Sequence, residues 1–172
     1  MTTRIAVTVV IVFATAAFPA PQQPAAPTSA APTAPDKALM QRVLDGWSTM
    51  NPDNAAQYYA QDQRNVFYDF TPFKYTGWKE YADGVRKVAA DYSSAKFHAN
   101  PDAQVHRRGD LAWGTATWHA DFVKKDGAKE ILDGRWTVVW EKRGDKWLIV
   151  HDHFSVPFGA PSQPAARKSS HP

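Results

Sequence analysis

LAWGTATWHADFVK (111–124), KEILDGRWTVVWEKR (129–143) and KWLIVHDHFSV (146–156) decide the fold of this chain. Each run alternates in character with period two, as a strand buried on one side demands. The turns that precede and separate them, Arg108-Gly109-Asp110, Lys125-Asp126-Gly127 and Arg143-Gly144-Asp145, each put glycine where a tight reversal needs positive φ. The prediction is a meander of three long strands. Alternation then sorts their side chains. Ala112, Gly114, Ala116, Trp118 and Phe122 share one face of the first strand, and Trp136, Val138 and Trp140 share one face of the second. In the last strand, strict alternation groups Leu148, Val150, Asp152, Phe154 and Val156 against Trp147, Ile149, His151, His153 and Ser155. Each face of the meander is half apolar, so helices are expected on one and a partner sheet on the other.

Working outward, Lys96–Asn100 and Ala103–Arg108 read as one strand bent near Pro101. Upstream the period changes to that of a helix. Leu39, Met40, Val43, Leu44, Trp47 and Met50 mark a first helix from about Asp36. Asn51-Pro52 caps and opens a short second one carrying Tyr58 and Tyr59. Val66–Phe70 is a short strand, and Thr76-Gly77 opens a third helix whose buried face bears Trp78, Tyr81, Val85, Val88, Ala89 and Tyr92. Helices first and strands last predict an α+β domain over 36–158, with three N-terminal helices packed on one face of a curved antiparallel sheet and a pocket at its open end.

The ends are of another kind. Arg4 precedes an apolar run from Ile5 to Ala17, too short at about 1.5 Å per residue to cross a ~30 Å hydrocarbon core. Residues 1–18 read as a signal peptide with small residues at Ala14-Thr15-Ala16 or Thr15-Ala16-Ala17 for cleavage, an uncleaved anchor being the alternative. A periplasmic or secreted location follows, with no membrane attachment after cleavage. The Pro/Ala-rich stretch 19–35 and the tail 159–172 are expected to be disordered linkers, since neither can bury enough apolar surface to offset ordering. All 17 acidic residues and 17 of the 20 basic ones lie in 36–158, which is neutral by count. No net basic face remains for nucleic acid. The absence of cysteine excludes disulfides, a thiol nucleophile and a Cys-ligated zinc site.

The helix order, Tyr68-Asp69 followed by Tyr75-Thr76-Gly77-Trp78, and the ending Lys146 to Pro157 with its Trp147…His151-Asp152-His153…Ser155…Pro157 pattern resemble a SnoaL-like domain of the nuclear-transport-factor-2-like superfamily. Ketosteroid isomerase and the association domain of calcium/calmodulin-dependent protein kinase II are relatives. The resemblance implies a cone of sheet over helices, commonly dimeric through the sheet, but no particular reaction. Asp69 matches the proton-moving aspartate of the isomerase, and Tyr59 its supporting tyrosine. Val43 and Trp136 stand where that enzyme has its oxyanion-hole tyrosine and aspartate, so steroid isomerisation is not implied. Trp118, Val138 and Phe154 stand where the kinase domain has arginines, which implies a cavity for a small apolar or aromatic molecule instead of a small anion.

The site expected from these residues has Asp69 as catalytic base, with Trp47, Tyr59, Trp118, Trp136, Val138, Asp152 and Phe154 as ligand-binding groups. Asp69 has the alternative of capping the Thr71-Pro72 turn. Asp152, on an apolar face, needs a partner such as an arginine or a tyrosine hydroxyl. His151 and His153, joined by His119, have zinc-chelating character without an evident carboxylate, so neither a metal nor another cofactor is expected. The Arg-Gly-Asp triplets fall at hairpin turns, which explains them without adhesion. Two functions stay open beside ligand binding: a proton-transfer enzyme of isomerase, dehydratase or cyclase type, and a dimeric assembly domain. A homodimer is expected through the face bearing Ile149, His151 and His153.

Overall fold

The computed structural model describes residues 34–70 and 72–159. The expected signal peptide, nearly all of the linker and of the tail, and Thr71 lie outside the described residues.

Helix α1 (Lys37–Ser48) begins at Asp36, whose side chain accepts a hydrogen bond from the Leu39 N–H at 2.6 Å, and buries Met40, Val43, Leu44 and Trp47. Asn51 caps α2 (Pro52–Ala55) as expected, and a single 3₁₀ turn, Ala56–Tyr58, follows. Strand β1 (Val66–Tyr68) stops before Asp69 and Phe70, and a two-residue strand, β2 (Tyr75–Thr76), runs into α3 (Gly77–Ala89). Gly77 adopts φ +76°, with a Cβ there meeting the Gln63 backbone, so only glycine turns the chain into this helix without strain. Tyr92, expected on the helix, instead opens β3 (Tyr92–Ala99). Strands β4 (Gln104–Arg108), β5 (Leu111–Lys124), β6 (Lys129–Arg143) and β7 (Lys146–Ser155) complete the sheet.

The strand order is β2-β1-β7-β6-β5-β3, with β4 also paired to β5. The bend near Pro101 is therefore real: β3 and β4 share one neighbour, and Asp102 spans the gap by accepting the Thr117 N–H at 3.1 Å. The free edge of β3 is closed by α1. Ser48 Oγ accepts the Phe97 N–H at 2.9 Å, while Gln41 donates to the Phe97 carbonyl at 3.1 Å and accepts the Ala99 N–H at 3.0 Å. An edge strand so covered is not open to further pairing.

Two further features of the sheet depart from the sequence expectation. The sheet is mixed, because β1 pairs parallel with β7. Tight glycine turns force β5, β6 and β7 to reverse, but nothing local fixes the direction of β1, which meets β7 only through the fold. The second departure is a β-bulge in β7. Val139 faces His151 and Trp140 faces Ile149, leaving Val150 as an extra residue. One inserted residue reverses the alternation on its two sides. Trp147 and Ile149 accordingly join Asp152 and Phe154 on the buried face, with Ile149 fully buried and the Ala60 N–H donating to its carbonyl at 2.9 Å. The expected dimer face is corrected to this extent: His151 and His153 lie outward, and Ile149 does not.

The core lies between the helices and the inner face of the sheet. Trp118, Trp136 and Trp140 are its largest fully buried side chains. Gly134 makes room for Trp118, since a Cβ at that position would collide with the indole and with the Ser155 carbonyl. No helix among the described residues is long and apolar enough to cross a membrane.

Candidate functional site

The chain leaves β1 at Asp69 and Phe70, and these two residues stand over a recess between α1, α3 and the sheet. Trp47 comes from α1 and Met50 from the turn after it, Tyr81, Val85 and Val88 from α3, and Phe97, Phe122 and Phe154 from the strands. The water-accessible volume is about 60 Å³. Asp69 is the one carboxyl in a lining otherwise built from aliphatic and aromatic groups.

The residue as a whole is half-buried, and its carboxyl is largely withdrawn from water. Desolvation penalises the charged form and pushes the carboxyl up to about 7, opposed only by the Phe70 N–H, which donates to Oδ1 at 2.7 Å. Such a group holds or releases a proton near neutrality. The Asp69 carboxyl accepts the Phe70 N–H, while Thr71, which the capping alternative concerns, lies outside the described residues.

Deeper in the core is a second carboxyl. Asp152 is fully buried on β7, and the Tyr59 hydroxyl donates to its Oδ2 at 2.5 Å while accepting from the Trp47 indole N–H at 2.9 Å. Asp152 therefore has the tyrosine partner its face required. Burial raises its pKa well above the ordinary value, the Tyr59 bond opposes that shift, and the charge of Asp69 adds to it. Oδ1 has no hydrogen-bond partner among the described residues. Burial in that position disfavours the charged form. Tyr59 is raised in turn, first by burial and then by Asp152.

Of the residues singled out from the sequence, Asp69, Trp47 and Phe154 line the recess. Tyr59 and Asp152 form the pair beneath it, joined to it through Trp47. Trp118, Trp136 and Val138 are packing groups behind it: Trp136 stacks on Phe154 at 5.1 Å, and Trp118 meets Phe154, Phe97 and Phe70 edge-on or tilted within 6.0 Å. Sequence reasoning missed the rest of the lining, Phe70, Phe97 and Phe122 among it. Phe97 and Phe122 were legible by alternation, since each sits on the apolar side of its strand. Phe70 follows the strand end and carries no periodic signal.

The histidines do not converge. His119 on β5 is separated from β7 by β6, and its Nδ1 lies 2.8 Å from Asp133 Oδ1. His151 Nδ1 faces the Val66 carbonyl at 2.7 Å. Among the described residues no group of three His, Asp or Glu side chains is placed to hold a metal ion.

A curved, unclosed mixed sheet wrapped on helices over such a recess is an α+β fold shared with nuclear-transport-factor-2-like proteins. More narrowly, the chain belongs to the SnoaL-like domain family, which matches it over residues 37–159. Comparison with curated proteins gives no match. Among solved structures it is similar to a nuclear-transport-factor-2-like superfamily protein from Salmonella enterica serovar Typhimurium, with 20% identity, TM-score 0.63, and coverage of 78% of this chain and 96% of that one. A candidate calcium/calmodulin-dependent protein kinase II association domain from Xanthomonas campestris shares 24% identity at TM-score 0.62, covering 72% and 86%. A candidate scytalone dehydratase from Novosphingobium aromaticivorans shares 14% at TM-score 0.60, covering 76% and 90%. At these identities the likeness is one of fold.

Proposed function

We propose that the domain binds a small apolar or aromatic molecule in the recess over Asp69, which meets a polar group of that molecule. The observation that carries this reading is the pairing of an apolar wall with one desolvated carboxyl, the usual make-up of a small-molecule site. The N-terminal apolar run supports export, so the ligand would be met in the periplasm or outside the cell. The test is a displacement screen of neutral aromatic compounds at pH 6 and pH 8 with the wild type and Asp69→Asn. Affinity that depends on pH in the wild type and not in the variant supports the reading. Failure of every compound to bind refutes it.

A second reading is favoured by the pKa of Asp69. A carboxyl at about 7 suits a general base working near neutral pH, and proton transfer of isomerase, dehydratase or cyclase type is the chemistry it would serve. The likeness to a candidate scytalone dehydratase is consistent with that class. Under this reading Asp69→Asn abolishes turnover while ligand affinity survives. The exposed side of the sheet, with Trp113 41% exposed, Thr115 and Thr117 beside it and His153 on β7, supports a homodimer through that face, which sedimentation at rising concentration tests.

A further inference from the structure

Asp69, Phe70 and Phe154 line a second, outer recess of about 410 Å³ as well as the inner one of about 60 Å³. Tyr68, Phe73 and His153 form its outer walls, and Phe73 is 93% exposed there. The two spaces therefore lie on opposite sides of one three-residue wall. Its members are not equally fixed. Phe154 belongs to β7 and stacks on Trp136 with an interplanar angle of 14°. Asp69 is tied to the chain through the Phe70 N–H. Phe70 has left the strand, is half-buried, and makes a single ring contact among the described residues, a tilted one with Trp118 at 5.6 Å. Its ring thus reaches from the outer recess to a core indole that is fully buried.

We propose that Phe70 is the specificity-determining residue of the site, its ring forming the partition that limits the ligand to the size of one small ring. The proposal rests on the reading of the Asp69 recess as a ligand site. The inner recess, at about 60 Å³ against about 410 Å³ for the outer one, fits a single small ring better than fused rings. Without the Phe70 ring, the inner recess opens onto the outer one, and a bicyclic molecule can place one ring in each with its hydroxyl beside Asp69.

Phenol and 2-naphthol are the probes. Their dissociation constants are measured by calorimetry at pH 6 for the full chain, Phe70→Ala and Phe70→Leu, with thermal unfolding reporting that each variant folds. The wild type is expected to prefer phenol. Phe70→Ala should shift the ratio of affinities toward 2-naphthol by about tenfold, or about 1.4 kcal/mol. Phe70→Leu should give an intermediate shift, and it decides the matter if the alanine variant does not fold. A ratio unchanged in the variants, or a wild type that binds 2-naphthol as tightly as phenol, overturns the partition and leaves the ligand site standing. Binding of neither probe to any form overturns both.

Discussion

Asp69→Asn is expected to make the domain more stable, and increasingly so as the pH rises. In the native state the carboxyl is pushed from an ordinary 3.8 to about 7 by desolvation. Between those values the folded chain retains a proton that the unfolded chain releases, so stability falls as pH climbs through the window and levels off above about 7. A shift of about 3 units is worth about 4 kcal/mol at 1.36 kcal/mol per unit. The half-buried state of the residue lowers the expected figure to about 2–4 kcal/mol. Asparagine keeps the shape and still accepts the Phe70 N–H, but it cannot ionise. The gain over wild type should be near zero at pH 4 and reach about 2–4 kcal/mol at pH 8. Urea unfolding followed by tryptophan fluorescence at pH 4, 6 and 8 measures it. Burial of Asp152 acts on both proteins, so most of its effect cancels in the difference. A gain that is the same at all three pH values would show that Asp69 is solvated and ordinary, and the argument for the site would fall with it.

Tyr59→Phe should cost about 1–3 kcal/mol in a urea titration, because Asp152 Oδ2 and the Trp47 indole N–H both lose their partner inside the core. Gly134→Ala should cost about 1–3 kcal/mol, read as a lower melting temperature, since the added methyl meets the Trp118 ring and the Ser155 backbone. Asp36→Ala should cost about 1 kcal/mol by removing the cap that accepts the Leu39 N–H; no change in the unfolding midpoint would contradict it. Deleting Val150 joins Ile149 to His151 opposite Trp140 and Val139, so Trp147 and Ile149 should keep their buried face and the variant should stay soluble and unfold cooperatively, whereas an aggregating variant would contradict this register.

The hairpins β5–β6 and β6–β7 were legible because two signals agreed there: period-two alternation and glycine turns. The helices were legible for the same reason, their apolar spacing ending at caps such as Asp36 and Asn51. Val150 hid because a bulge residue that is itself apolar, between Ile149 and His151, leaves the alternation readable in two phases. The choice between phases is made by pairing with Val139 and Trp140, a long-range fact. Parallel pairing of β1 with β7 is likewise written in no local pattern. For the site, the chemistry of Asp69 was recoverable from its position at a strand end, and its surroundings less so. Large aromatic residues fill cores as readily as they line pockets, so Trp118 and Trp136 could not be told from Phe97 and Phe122 by residue type.

Residues 66–68 of β1 are registered against 151–153 of β7, at opposite ends of the domain. During synthesis the N-terminal half, with α1, α3 and β1, emerges well before the strand that completes it. Until then β1 has only the two residues of β2 to pair with, and Asp69 and Phe70 have no Phe154 beside them. The site is thus closed by β7, the last synthesised of the described strands, which makes the region around Asp69 a late product of folding and a chain truncated before Asp152 a protein with no site at all.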